Sequence, residues 1–179
     1  RVIVLFNGEV SYEGSVENAL EKYLELNKLI LKNEFYGDKY VKHVTFDPKN
    51  NILKYGSSLR LNVFFETQSI IENIVLGIVI KDIKDVELIG VNNMHYNQTL
   101  FNVNEIKKGK ISILIDEFKL LPGLYKLDLF LGNTNLDIEY IEEAIHFTVI
   151  ADNKLNKIEK FNFSINKVFH NKINWTLNT

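Results

Sequence analysis

The chain has 179 residues, 46% of them hydrophobic and 25% charged, an ordinary balance for a soluble globular fold of one domain with appendages. A formal charge of −2 leaves no basic footprint for nucleic acid, and Lys107, Lys108 and Lys110 are too few to hold an anionic membrane surface. The absence of cysteine excludes disulfides, thiolate catalysis and cysteine-ligated zinc, and suits a reducing cytoplasm.

In chain order, the apolar run Val2 to Phe6 leads into Asn7-Gly8, the strongest two-residue hairpin signal, and Glu9 to Glu13 alternates as a returning strand. Ser15 is a good helix N-cap, and Val16, Ala19, Leu20, Tyr23 and Leu24 then share one helical face. That spacing predicts a helix to about Leu31, with Asn33 to Lys39 as a linker. From Tyr40 the hydrophobic period changes from 3.6 to 2. Val44 and Phe46 alternate before the turn cluster Asp47 to Asn51. Leu59, Leu61, Val63 and Phe65 form one strand register, and Ile74, Leu76, Ile78 and Ile80 form the next. Val86 to Val91 follows, then a polar loop from Asn92 to Gln98. Ile111, Ile113 and Ile115 mark another strand. After the turn Leu121-Pro122-Gly123 come Tyr125, Leu127, Leu129 and Leu131; a loop at Asn133 to Asp137 precedes Ile145 to Val149.

About seven short strands without an intervening helical period predict a mainly β, antiparallel sandwich, preceded by a β-hairpin and one α-helix. The expected boundaries are 1–33 for hairpin, helix and linker, 34–151 for the sandwich and 152–179 for a tail. The tail is polar but carries Phe161, Phe163, Phe169 and Trp175, so it is expected to pack on the sandwich or pair with a second chain.

Catalytic signatures are missing. The sequence has no G-x-x-x-x-G-K-[ST] phosphate loop, no G-x-S-x-G elbow and no H-E-x-x-H pair. His43, His95, His146 and His170 lack metal-ligand spacing, and the acids Asp137, Glu139, Glu142 and Glu143 read as solvated side chains of sandwich loops, with calcium ligation as the rarer alternative, rather than as a glycosidase pair. No apolar run reaches the roughly 18 residues of a membrane-spanning helix. A signal-peptide pattern is also lacking, although the chain opens at Arg1 and reads as a piece of something longer. The three sequons at Asn97, Asn162 and Asn174 are expected by chance in so asparagine-rich a chain.

If the aliphatic registers face the core, the opposite registers face outwards, and they are not uniformly polar. Arg60, Asn62 and Phe64 on one strand and Asp128 and Phe130 on another combine rings with amide, carboxylate and guanidinium groups. Pyranoses present C–H faces that stack on rings and hydroxyls that need polar partners. These five residues are therefore the candidate sugar-binding set, expected on the outer face of one sheet. Coverage of the same rings by the tail or a partner subunit is the competing reading.

Two stretches carry a resemblance. Arg1 to Leu26, with Gly8, Gly14, Tyr23 and Leu24 at characteristic positions, resembles the end of an ABC ATPase domain. The remainder resembles the C-terminal domain of Wzt-type ATPases of polysaccharide exporters. The matching stretches are Tyr55 to Val63, Asn73 to Asp82, Gly90 to Asn93, Leu121 to Tyr125 and Ile141 to Val149, in this order. The resemblance implies an immunoglobulin-like or jelly-roll sandwich that is not an enzyme and binds an O-antigen-like glycan before export. It implies a homodimer formed by exchanging a C-terminal strand, for which the segment with Trp175 is the candidate. Further implications are a membrane-spanning permease partner, a position at the cytoplasmic face of the membrane, and no cofactor here, ATP and magnesium belonging to the rest of the ATPase domain. Two alternatives are a dimerisation or docking module and a teichoic-acid exporter domain; the acidic balance argues against the latter's anionic polymer. Many relatives have Gly-x-Asn-Thr where this chain has Gly90-Val91-Asn92-Asn93. The following loop, with Met94, His95 and Tyr96, is therefore expected to differ in what it recognises. None of the matching motifs carries the family's binding residues, so the site residues rest on alternation alone.

Overall fold

The structure is a computed structural model, and it describes residues 1–26, 32–68, 71, 73–95, 107–133, 137–150 and 173–178. The chain divides into two compact units, Arg1–Leu31 and Lys32–Thr179.

In the first unit, β1 (Val2–Phe6) and β2 (Glu9–Gly14) form an antiparallel hairpin, followed by α1 (Val16–Leu26). The turn residues Asn7 and Gly8 have φ of 52° and 86°, the left-handed pair that a two-residue hairpin with correct twist requires. Ser15 caps the helix, its Oγ accepting from the Asn18 N–H at 3.3 Å. Val4 and Ala19 are buried, whereas Ile3, Leu5, Val10, Val16 and Tyr23 are exposed. An apolar groove lined by Val2, Ile3, Leu5, Val16 and Tyr23 opens on this unit. Residues 27–31, where the helix was expected to end, lie outside the described residues.

The second unit contains, among the described residues, β3 (Glu34–Tyr36), β4 (Val41–Asp47), β5 (Ile52–Lys54), β6 (Leu59–Glu66), β7 (Val75–Asp82), β8 (Glu87–Asn92), β9 (Lys108–Ile115), β10 (Gly123–Gly132), β11 (Asp137–Ile150) and β12 (Ile173–Asn178). They form two five-stranded sheets, β5-β11-β10-β7-β8 and β12-β9-β6-β4-β3, antiparallel except for the β5–β11 pair. This is the mainly β sandwich that the period-2 alternation predicts. Leu59, Leu61, Val63 and Phe65 of β6, Ile111, Ile113 and Ile115 of β9, and Leu127, Leu129 and Leu131 of β10 all lie in one buried cluster between the sheets. Removing each such side chain from water stabilises the fold by about 1.5–3 kcal/mol, which is why register is strongly specified here. Phe147 sits among Phe46, Phe118 and Tyr125 and stacks on Phe46 at 5.3 Å between centroids.

Several elements differ from the sequence expectations. The linker expected at Asn33 to Lys39 contains β3, which pairs with β4. Three residues are too few to display an alternation. β5 is equally short and follows directly on a turn. β11 is much longer than the Ile145–Val149 stretch, because a bulge at Glu143, with φ 48°, interrupts the alternation of one continuous strand. The acids expected in sandwich loops therefore lie on β11. Glu139 is buried there, its Oε2 accepting from the Tyr40 and Val41 N–H groups at 2.9 and 2.8 Å and tying one sheet to the other.

β12 pairs with β9 of the same chain, and Trp175 is 3% exposed within the core cluster. Residues 151–172, including Phe161, Phe163 and Phe169 of the expected tail, lie outside the described residues.

Candidate functional site

The five candidate sugar-binding residues do not share a face. Arg60, Asn62 and Phe64 point outward from β6 in one sheet, whereas Asp128 and Phe130 belong to β10 in the other. Alternation predicts which register is outward but not which strands join the same sheet, so the expected single face is corrected to two.

On the β12-β9-β6-β4-β3 sheet, register sets the outward side chains in rows across the strands. One row is Tyr36, His43, Phe64 and Lys110. The next is Glu34, Thr45, Asn62, Ser112 and Thr176. A third is Asp47, Arg60, Leu114 and Asn174. Rows lie roughly 7 Å apart along the strands, and neighbours within a row lie about 4.8 Å apart.

The first row is a ladder of rings. Tyr36 and His43 stack at 4.3 Å with an 11° interplanar angle, His43 and Phe64 at 5.6 Å and 18°, and the Lys110 ammonium lies 5.8 Å over the Phe64 ring. The Tyr36 hydroxyl donates to Glu34 Oε2 at 2.7 Å, and His43 Nε2 lies 3.5 Å from the same oxygen. The hydrogen bond from Tyr36, assisted by His43, holds the Glu34 carboxyl below the usual carboxylate range, and the same bond raises the Tyr36 phenol. The second row is hydrogen-bonded within itself. Ser112 Oγ donates to Asn62 Oδ1 at 2.8 Å and Asn62 Nδ2 donates to Thr45 Oγ1 at 3.3 Å. Amide and hydroxyl groups are thus held in fixed directions on the surface. Arg60 is exposed in the third row. Tyr36, His43, Thr45 and Ser112 were not singled out by sequence reasoning. Their outward register became meaningful only when β3, β4 and β9 were known to flank β6.

The opposite face is built differently. Asp128 is 1% exposed. Its carboxylate pairs with the Lys81 ammonium at 2.5 Å and accepts from the Tyr140 hydroxyl at 2.6 Å and the Glu143 N–H at 2.8 Å. The last of these donors is turned towards it by the β11 bulge. Burial alone would raise the Asp128 carboxyl, but the three donors outweigh it and hold it below the usual range; Lys81 is raised by its bond to Asp128. Glu143 bridges Lys126 at 2.8 Å and His146 at 3.1 Å. Phe130 lies over Gly77 on the neighbouring strand, where a Cβ would overlap its ring, and pairs in register with Tyr140. Asp128 thus anchors an internally paired network, and Phe130 covers backbone. Among the described residues no group of His, Cys, Asp or Glu is placed to hold a metal ion, and no helix is long and apolar enough to cross a membrane.

Comparisons with known proteins agree with this architecture. No curated protein matches the chain. A crystal structure of the C-terminal domain of Wzt is similar in fold, with a TM-score of 0.51 at 18% identity, covering 65% of this chain and 77% of that one. The family described as the Wzt C-terminal domain matches residues 40–163. That match covers more than half of the chain, which therefore belongs to the Wzt C-terminal domain family, a component of ABC exporters.

Proposed function

We propose that residues 34–151 form a non-catalytic polysaccharide-recognition domain of an exporter ATPase, binding an O-antigen-like glycan before transport. The observation that carries this reading is the outer face of the β12-β9-β6-β4-β3 sheet. Exposed rings stand there beside a row of oriented amide and hydroxyl groups, the two kinds of contact a pyranose offers. Each hydroxyl contact replaces one with water, so a single sugar unit binds weakly and a polymer gains by engaging several rows. Arg60 and Asn62 belong to this face; Asp128 and Phe130 do not. In the same reading residues 1–33 complete the ATPase domain, whose preceding portion binds ATP and magnesium and meets the membrane-spanning permease at the cytoplasmic face. The exposed apolar residues of the hairpin and helix support this, since Ile3, Leu5 and Val16 lack the cover that a complete core would give them.

The test is retention of the purified protein on polysaccharide from its own host, with dextran as the control polymer. Ser112→Arg places a bulky charge at the centre of the proposed face and should abolish retention. Glu142→Arg, exposed on the other sheet, should leave it unchanged. Equal retention by both variants would overturn the choice of face, and no retention of wild type would overturn glycan recognition.

A second reading, a dimerisation or docking module, draws support from β12, which lies at a sheet edge and could be supplied by a second copy. Size-exclusion with and without residues 153–179 measures that dimer directly.

A further inference from the structure

The ring ladder has a consequence for where a sugar can stack. Phe64 is only 37% exposed, with His43 stacked on it from β4 and the Lys110 ammonium reaching over it from β9 on the other side. Phe64 thus has a ring against it from β4 and an ammonium group over it from β9. His43 is held between Tyr36 and Phe64 and has no open face. Tyr36 is different. It is 70% exposed, one face rests on His43, and β3 is the last strand of its sheet, so no described neighbour covers the other face. The ring is also held in place before any ligand arrives, by the stack on one side and by the hydroxyl bond to Glu34.

The hairpin that carries Tyr36 also lines an open groove with Asp38, Lys39, Lys42 and Glu66. Lys42 Nζ donates to the Asp38 carbonyl oxygen at 2.9 Å. The lining holds two carboxylates and two ammonium groups, hence donors and acceptors for hydroxyls without a net field for an ionic polymer.

Building on the glycan reading, we infer that Tyr36 is the stacking residue, that His43 and Phe64 are positioning residues behind it, and that the sugar unit on Tyr36 is an uncharged pyranose reaching towards the groove. A ring open on one face accepts the C–H face of a sugar, whereas His43, stacked on both sides, cannot, and Phe64, between His43 and the Lys110 ammonium, is poorly placed to do so. The face of His43, itself backed by Phe64, serves to orient Tyr36.

The experiment is affinity electrophoresis of the whole chain in gels containing host polysaccharide, with thermal melting as the folding control. Tyr36→Ala should weaken binding at least about ten-fold, near 1.4 kcal/mol. Tyr36→Phe, which keeps the ring and loses the Glu34 bond, should stay within about three-fold of wild type, whereas Phe64→Ala, which removes the support behind His43, should weaken binding but by less than Tyr36→Ala. Raising the salt concentration should leave wild-type binding unchanged, as expected for an uncharged ligand. Overturning results are a Tyr36→Ala variant that binds as wild type, a Phe64→Ala loss exceeding that of Tyr36→Ala, a Tyr36→Phe loss equal to that of Tyr36→Ala, or wild-type binding that falls with salt. Failure of wild type to bind at all would sink the glycan reading itself, and is thereby distinguished from these outcomes.

Discussion

Replacing Asp128 by alanine should destabilise the sandwich without touching the proposed ligand face. The carboxylate has three donors, and each is left in a different state when it goes. The Tyr140 hydroxyl is on an exposed side chain and finds water at little cost. The Glu143 N–H, part-buried at the bulge, loses its acceptor, which costs about 1 kcal/mol. Lys81 is left without its counter-charge. Breaking a fully buried pair costs about 3–5 kcal/mol, but the Lys81 side chain keeps 18% exposure and can reach water, so about 2 kcal/mol is appropriate here. The expected total of about 3 kcal/mol corresponds to a fall in melting temperature of about 9 °C for a unit of this size. Chemical denaturation of wild type, Asp128→Ala, Lys81→Met and the double variant would give a coupling of about 1.5 kcal/mol between the pair. The pH dependence has a definite sign. The folded Asp128 carboxyl titrates below its ordinary value of 3.8, so its stabilisation is complete above that pH and is lost as pH falls through the folded value. Lys81 titrates above its ordinary 10.5 in the folded state, so its share is complete below that pH and is lost only as pH rises through the raised value. The gap between wild type and Asp128→Ala should thus be flat from about pH 5 to 9 and close on acidification below about 4. A loss under 1 kcal/mol at neutral pH, or zero coupling, would refute the reasoning.

Two further stability predictions follow from packing. Gly77→Ala places a methyl group in the Phe130 ring and should cost about 1–3 kcal/mol, measured by denaturant titration; adding Phe130→Ala should recover part of that loss. Trp175→Ala should cost about 3–5 kcal/mol, because the indole fills the core from β12. Trp175→Phe should cost clearly less, since it also removes an Nε1–H that has no hydrogen-bond partner among the described residues.

How far the sequence could be read depended on the length of each element. β6, β9 and β10 carry four, three and four consecutive inward aliphatic or aromatic residues at period 2, and each was legible. β3 and β5 have three residues each and show no period. β11 was read only at its C-terminal end, because the extra residue at its bulge shifts the alternation midway. At the site, Phe64 was found and its stacking partners were not. Tyr36 lies in what read as a linker, and His43 shows no feature by itself. Asp128 looked like an exposed polar residue between Leu127 and Leu129, yet it is buried by Lys81 and Tyr140, which come from two other strands.

By itself the sequence determined the β class, the inward registers, the hairpin with its capped helix, and the family. Each of these is written in local spacing or in short motifs, which require no knowledge of neighbours. Only the tertiary structure decided which strands share a sheet, and therefore that Phe64 and Phe130 lie on opposite faces. It also decided which ring is left open and which carboxylate is spoken for. Those outcomes depend on pairings between residues up to a hundred positions apart, and alternation along one strand carries no information about its partner.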